Sequence, residues 1–235
     1  MITNFYKTFL IPNSRKYMKR IRIICEGQTE QEFVNKMLTP AFSRKQIFFH
    51  PSLIRASRGG IIRWELLKKE IEIHLKVDKE AYVTTFIDYY GVYKKHEFPQ
   101  WDSAHEIPDK NERMDCLEQA MRENIDPDFR HRFIPYFQLH EFEALLFCDM
   151  DVFHKQISPT DLIGKKELKE IFNRYSNPEM INNNKTTSPS HRLESIIKGY
   201  NKVVYGNIIA EAIGLECIRT KAPRFDAWLN RMEDS

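Results

Sequence analysis

Apolar and polar positions along the first half of the chain follow two rhythms in alternation. Residues 20–25, RIRIIC, alternate charged and apolar side chains before turning wholly apolar, the period-two signature of a strand entering a sheet. Glu26-Gly27 ends that run. T-E-Q-E from Thr29 then reads as a capping box in which Thr29 and Glu32 satisfy each other's backbone donors, with Phe33, Met37 and Leu38 following at helical spacing. IFFHPSLI at 47–54 reads as a second strand, placed near an edge by Pro51, and RASRGG as the loop after it. From 61 to 77, Ile61, Trp64, Leu67, Ile71 and Leu75 recur every three or four residues opposite Lys68, Lys69, Glu72 and Lys76, which predicts an amphipathic helix. AYVTTFI at 81–87 is the strongest strand pattern, β-branched and aromatic, and it stops at Asp88. A long loop is expected over 89–108, then a helix through Met114, Leu117, Met121 and Ile125, opened by Asp109 with Glu112 three residues on. RFIPYFQL at 132–139 reads as a fourth strand leading directly into HEFEALLF.

Strands alternating with helices predict an α/β fold with a mainly parallel sheet and flanking helices. After Asp149 the rhythm changes. LIGKKELKEIF, SPSHRLESII, NKVVYGNIIAEAIG and APRFDAWLNRM are helical patterns separated by Gly, Pro and Asn, with no convincing strand among them. The expected organisation is an N-terminal extension over 1–18, an α/β core over 19–149, and a helical C-terminal subdomain or cap over 150–235.

Composition narrows the class. Hydrophobic residues make up 42% and the chain carries 16 Phe, 10 Tyr and 3 Trp, ample for a buried core. A formal charge of +3 permits nucleic-acid binding without pointing to it. No stretch approaches the length of a membrane span, and the first twenty residues lack the apolar core of a secretory signal. Cys25, Cys116, Cys148 and Cys217 are far apart with no C-x-x-C, so they read as buried free thiols in a reducing cytoplasm.

In an open parallel sheet, functional groups gather beyond the carboxyl ends of the strands. Glu26 follows the first strand, Asp88 the third, and His140, Glu141 and Glu143 the fourth, so three separated segments are expected to converge on one edge. Singly, each acid has a plainer role: Glu26 shaping a turn, Asp88 capping a loop, and Glu30, Glu32, Glu141 and Glu143 complementing helix starts. Together they repel unless a cation sits among them, and an oxygen-rich set favours Mg²⁺ or Mn²⁺ over Zn²⁺. His140 is expected to orient a ligand rather than bind the metal. Lys185, His191, Arg192, Lys198 and Lys202, then Arg219, Lys221 and Arg224, form basic clusters, of which Lys185, Arg192, Lys221 and Arg224 are the candidates for phosphate or nucleic acid. HEFEA is not H-E-x-x-H, Ser57-Arg58-Gly59-Gly60 lacks the Lys of a Walker loop, and no G-x-S-x-G or G-x-G-x-x-G occurs.

EGQTEQEFV, FIDYYG, FIPYFQLHEFEALLF and the C-terminal run SPSHRLESIIKGYNKVVYGNIIAEAIGLECIRTKAPRFDAWL together resemble a prokaryotic family of unknown function with a toprim-like fold, over about Lys19 to Leu229. The resemblance implies kinship with the metal-dependent catalytic domains of topoisomerases, primases and overcoming-lysogenization-defect nucleases. It also implies SMC- or ABC-type ATPase partners in a setting of phage defence. Carried over by position, the toprim glutamate matches Glu26, the neighbouring nuclease-type acid Glu30, and the first acid of the D-x-D pair Asp88. The second acid of that pair falls at Tyr90, so Glu141 or Glu143 is left to complete the set. The expectation is a Mg²⁺- or Mn²⁺-dependent nuclease acting on DNA or RNA, with Glu26, Asp88 and Glu141 catalytic and Glu30 and Glu143 adding metal ligands. The alternative is a catalytically inactive scaffold or regulatory subunit of an ATPase complex.

Overall fold

A computed structural model describes residues 18–55, 60–181, 184 and 186–235. Most of the N-terminal extension, Ser57, Arg58 and Gly59 of the loop, the turn residues Asn182 and Asn183, and Lys185 lie outside the described residues. The elements run β1 (Lys19–Cys25), α1 (Gln28–Phe33), a π-helical turn (Val34–Leu38), α2 (Thr39–Ser43), β2 (Ile47–Leu53), α3 (Trp64–Val77) and β3 (Tyr82–Asp88). Then come α4 (Trp101–His105), α5 (Lys110–Asn124), β4 (Phe133–Ile134), β5 (Phe137–Gln138) and a 3₁₀ turn (Phe142–Leu146). Six helices follow: α6 (Met150–Gln156), α7 (Lys165–Arg174), α8 (Pro189–Ile196), α9 (Lys202–Ile213), α10 (Leu215–Lys221) and α11 (Pro223–Asp234). The fold is α/β: the strands lie in the order β2-β1-β3-β4, β5 pairs with β3 beyond β4, and every strand pairing is parallel. No helix among the described residues is long and apolar enough to cross a membrane.

Alternation along the central strands builds two cores. Ile21, Ile23 and Cys25 of β1 and Phe86 of β3 face the layer of α1, the 3₁₀ turn and the C-terminal helices, where Phe33, Phe142, Phe225 and Trp228 are fully buried. Ile24, Val83 and Ile87 face the opposite layer, with Leu67 and Ile71 of α3 and Leu117 and Met121 of α5. Covering on both faces accounts for the apolar end of β1, Ile23 to Cys25, and for the nearly complete burial of β3.

Four local expectations change. The strand expected over 132–139 is broken into β4 and β5, because Pro135 has no amide to give the ladder. The Thr85 hydroxyl repairs the gap, accepting from Tyr136 N at 3.0 Å and donating to Tyr136 O at 2.9 Å. The loop over 89–108 holds a 3₁₀ turn at Lys94–His96 and the short helix α4. The cap of α1 is two residues earlier than the Thr29/Glu32 pair: Gly27 is the N-cap and Glu30 Oε2 accepts from its amide at 2.9 Å. Finally, all four cysteines are free, but Cys116 and Cys217 are only partly buried.

Candidate functional site

Parallel strand order decides what meets at the carboxyl edge. The amide of Glu26 donates to Phe86 O at 3.1 Å, which carries the β1–β3 ladder one residue past β1. The Glu26 carboxylate then accepts from the amide of Asp88, the last residue of β3, at 3.0 Å. Asp88 Oδ1 in turn accepts from Phe142 N at 2.8 Å, drawing the 3₁₀ turn after β5 against the end of β3. That contact buries Glu143 completely, beside Glu30 of α1, which is 2% exposed.

One cation stands among these acids. Lys202, the first residue of α9, places Nζ 3.2 Å from Glu143 Oε1, 3.6 Å from Glu30 Oε1 and 3.6 Å from Asp88 Oδ2. Gly206, one turn further on the same face, packs against Thr29 and Phe142. A β-carbon there would already be 3.5 Å from Thr29 Cγ2 and from Phe142 Cε1, so a larger side chain would push α9 outward.

A single ammonium does not offset the burial of Glu26, Asp88 and Glu143. Burial, reinforced by the charge of Glu30, pushes the Glu26 carboxyl up to about 7 against the Asp88 amide and Lys202. Burial likewise pushes Glu143 up to about 7, opposed by Lys202 and reinforced by Glu141. Asp88 is raised well above the usual carboxylate range by burial, with Lys202 opposing. Burial disfavours the Lys202 charge, but Asp88, Glu143 and Glu30 outweigh it and hold the ammonium protonated.

The other sequence candidates divide. Glu141, two residues before Glu143, turns the other way: its oxygens accept from Ser190 N and Ser190 Oγ, each at 2.9 Å, at the start of α8. His140 has a left-handed φ of 70° and is 1% exposed. Its Nε2 lies 3.0 Å from Lys110 Nζ, and burial, then Lys110 and Arg113, holds the ring near 3 and so neutral. Tyr90 donates its amide to His140 O at 2.8 Å. Among the phosphate candidates, Arg192 is bound to Thr187 O at 2.9 Å, and Arg224 to Glu118 at 2.8 Å and Asp115 at 2.5 Å. Lys221 is exposed on the last turn of α10, and Lys185 lies outside the described residues.

The basic residues the structure does place at this edge are Lys202 and Lys110. Each is the first residue of a helix whose Asx cap, Asn201 or Asp109, is satisfied within the helix. A cation in the first turn opposes the helix dipole, a cost that Glu30, Asp88 and Glu143 offset for Lys202.

Among the described residues, no group of three or more His, Cys, Asp and Glu side chains is arranged to hold a metal ion. In donor type alone, the cluster offers the carboxylate oxygens that a hard divalent cation takes. Glu30 Oε1 and both oxygens of Glu143 are buried without an aligned hydrogen bond, and every donor is a carboxylate oxygen.

Fold and site together define an α/β protein with a mainly parallel sheet and a buried acid cluster at its carboxyl edge. The chain belongs to the family described as a domain of unknown function, DUF4276, whose model matches residues 25–233. No curated protein and no solved structure matches the chain.

Proposed function

We propose that this chain is a Mg²⁺- or Mn²⁺-dependent phosphodiesterase of toprim-like type acting on DNA or RNA. The observation that carries the reading is the convergence of Glu30, Asp88 and Glu143, from three separate segments, within 3.6 Å of one point, with Glu26 bonded to the same strand end. Glu30, Asp88 and Glu143 would hold the cation, with Glu26 beside them. When bound, a divalent cation supplies Lewis-acid polarisation of the phosphate and stabilisation of the leaving oxygen.

The protein's own groups supply the rest. Glu26 is the least buried acid of the four, and a carboxyl raised to about 7 is matched to taking a proton from water near neutral pH. Lys202, with its side chain 41% exposed, is placed to neutralise charge on a bound phosphate. An SMC- or ABC-type ATPase partner and a place in phage defence rest on the sequence resemblance.

One observation favours a second reading. Lys202 already compensates the acids, as it would in a catalytically inactive scaffold or a regulatory subunit of an ATPase complex. Cleavage of plasmid DNA and structured RNA in Mg²⁺ or Mn²⁺ separates the two. Wild type is expected to cleave, and the Glu26→Ala, Asp88→Asn double variant to lose ~10²-fold or more of that activity while keeping its circular dichroism spectrum. Equal cleavage by both proteins removes the assignment of the site. A wild type silent on every substrate, with and without an ATPase partner, leaves the scaffold.

A further inference from the structure

Lysine is a poor choice for the first turn of a helix, where the exposed amides already present positive potential. Lys202 occupies that position in α9 and points into the acid cluster rather than away from it. Its three ion-pair distances, 3.2, 3.6 and 3.6 Å, all exceed the roughly 2.7–2.9 Å of a charge-assisted hydrogen bond. The ammonium is therefore shared among Glu30, Asp88 and Glu143 without being tightly bonded to any one of them. Glu143, fully buried, places Oε1 3.2 Å from the ammonium and has no aligned donor on either oxygen, so one monovalent cation leaves the acids under-compensated.

We propose that Lys202 is a tethered competitor for the divalent-cation site. Its ammonium and a divalent cation exclude each other from the same three carboxylates, and cation entry turns Lys202 out toward solvent. The inference rests on reading the cluster as a divalent-cation site and adds how that site is controlled. Joint occupancy is disfavoured, because both cations would draw on the same three carboxylate oxygens and two positive charges about 4 Å apart repel even when partly screened by a protein environment. The exit exists already, since the Lys202 side chain is 41% exposed whereas that of Glu143 is fully buried. The released ammonium stays tethered beside the site, where an anionic substrate would meet it. Metal loading and exposure of a phosphate-binding cation are thus one event.

The test is Mn²⁺ titration calorimetry on the full chain, without nucleic acid, for wild type, Lys202→Met and Lys202→Arg. Removing the competitor is expected to tighten Mn²⁺ binding at least ~10-fold in Lys202→Met, with Lys202→Arg staying near wild type. Equal affinity of Lys202→Met and wild type overturns the competition and leaves the divalent-cation site standing. Absence of Mn²⁺ binding in all three proteins overturns both the competition and the divalent-cation reading. A wild-type measurement guards against a Lys202→Met protein that fails to fold. Amine acetylation read by mass spectrometry is expected to label Lys202 several-fold faster in saturating Mn²⁺ than in chelator, and unchanged labelling overturns the proposal.

Discussion

Trp228→Ala is expected to destabilise the protein by about 3–5 kcal/mol, the range for removing a large aromatic side chain from a close-packed core. Trp228 of α11 is fully buried and stacks on Tyr136 with ring centroids 4.5 Å apart and planes 7° from parallel. It also touches Phe86 of β3 and Phe225 of its own helix. Its Nε1 donates to Thr84 Oγ1 at 2.8 Å, and that hydroxyl donates on to Ile134 O at 2.5 Å, so α11, β3 and β4 meet through one side chain. Truncation leaves a cavity against the strand that ends in Asp88, and leaves the Thr84 hydroxyl without its donor. Urea unfolding midpoints of wild type and variant at neutral pH measure the effect, and Trp228→Phe, which loses the hydrogen bond and part of the ring volume, is expected to cost less than Trp228→Ala. Val204→Ala, at a position 53% exposed on α9, serves as the control and is expected to change stability by under about 0.5 kcal/mol. A cost below about 1 kcal/mol for Trp228→Ala would show that α11 does not hold β3.

Glu143→Gln is expected to stabilise the protein at pH 8 without divalent cations, by up to about 3 kcal/mol, while weakening Mn²⁺ binding. The carboxyl is pushed from 4.5 to about 7 chiefly by burial, so the folded state binds its proton more tightly than the unfolded state does. The stability this group contributes is fully present below about 4.5 and is lost as pH rises through about 7. Glutamine does not titrate, so the two proteins should match near pH 4 and diverge across that window. His74, held near 4 by burial and then by Arg22 and Arg55, and His140, held near 3, change stability in the opposite direction. They do so in both proteins and cancel in the difference. Urea titrations at pH 4.5, 6 and 8 in chelator check the divergence. A variant less stable than wild type at pH 8 would mean that Glu143 and Lys202 form a net stabilising ion pair and that the cluster is structural.

How much of this was legible in the sequence depends on the range of the interaction. β1 is readable because its run from Arg20 to Cys25, alternating and then apolar, is that of a strand entering a sheet, β3 because β-branched and aromatic residues fill it, and the helix over α5 because Asp109 caps it locally. Asp109 Oδ1 does accept from the amides of Asn111 and Glu112, at 2.8 and 3.0 Å. The cap of α1 was misread because T-x-x-E at Thr29 and the step from Gly27 to Glu30 have the same spacing. Only the continuation of the β1–β3 ladder to Glu26 makes Gly27 the first residue free to cap.

For the site, the sequence by itself determined that acids would collect at one edge, since alternating strands and helices make the sheet parallel and place Glu26 and Asp88 beyond adjacent strand ends. It could not say which acid of HEFEA turns inward. Glu141 and Glu143 are two residues apart where the chain enters a turn of about three residues, and they point to different sides. Nor could it bring Lys202 to the cluster, 59 residues after Glu143, the nearest of the clustered acids along the chain. Only the tertiary structure decided that, by packing α9 against α1 and the 3₁₀ turn through Gly206. Local patterning reflects burial and hydrogen bonding between near neighbours, whereas the pairing of a charge with distant charges is set by how whole elements pack.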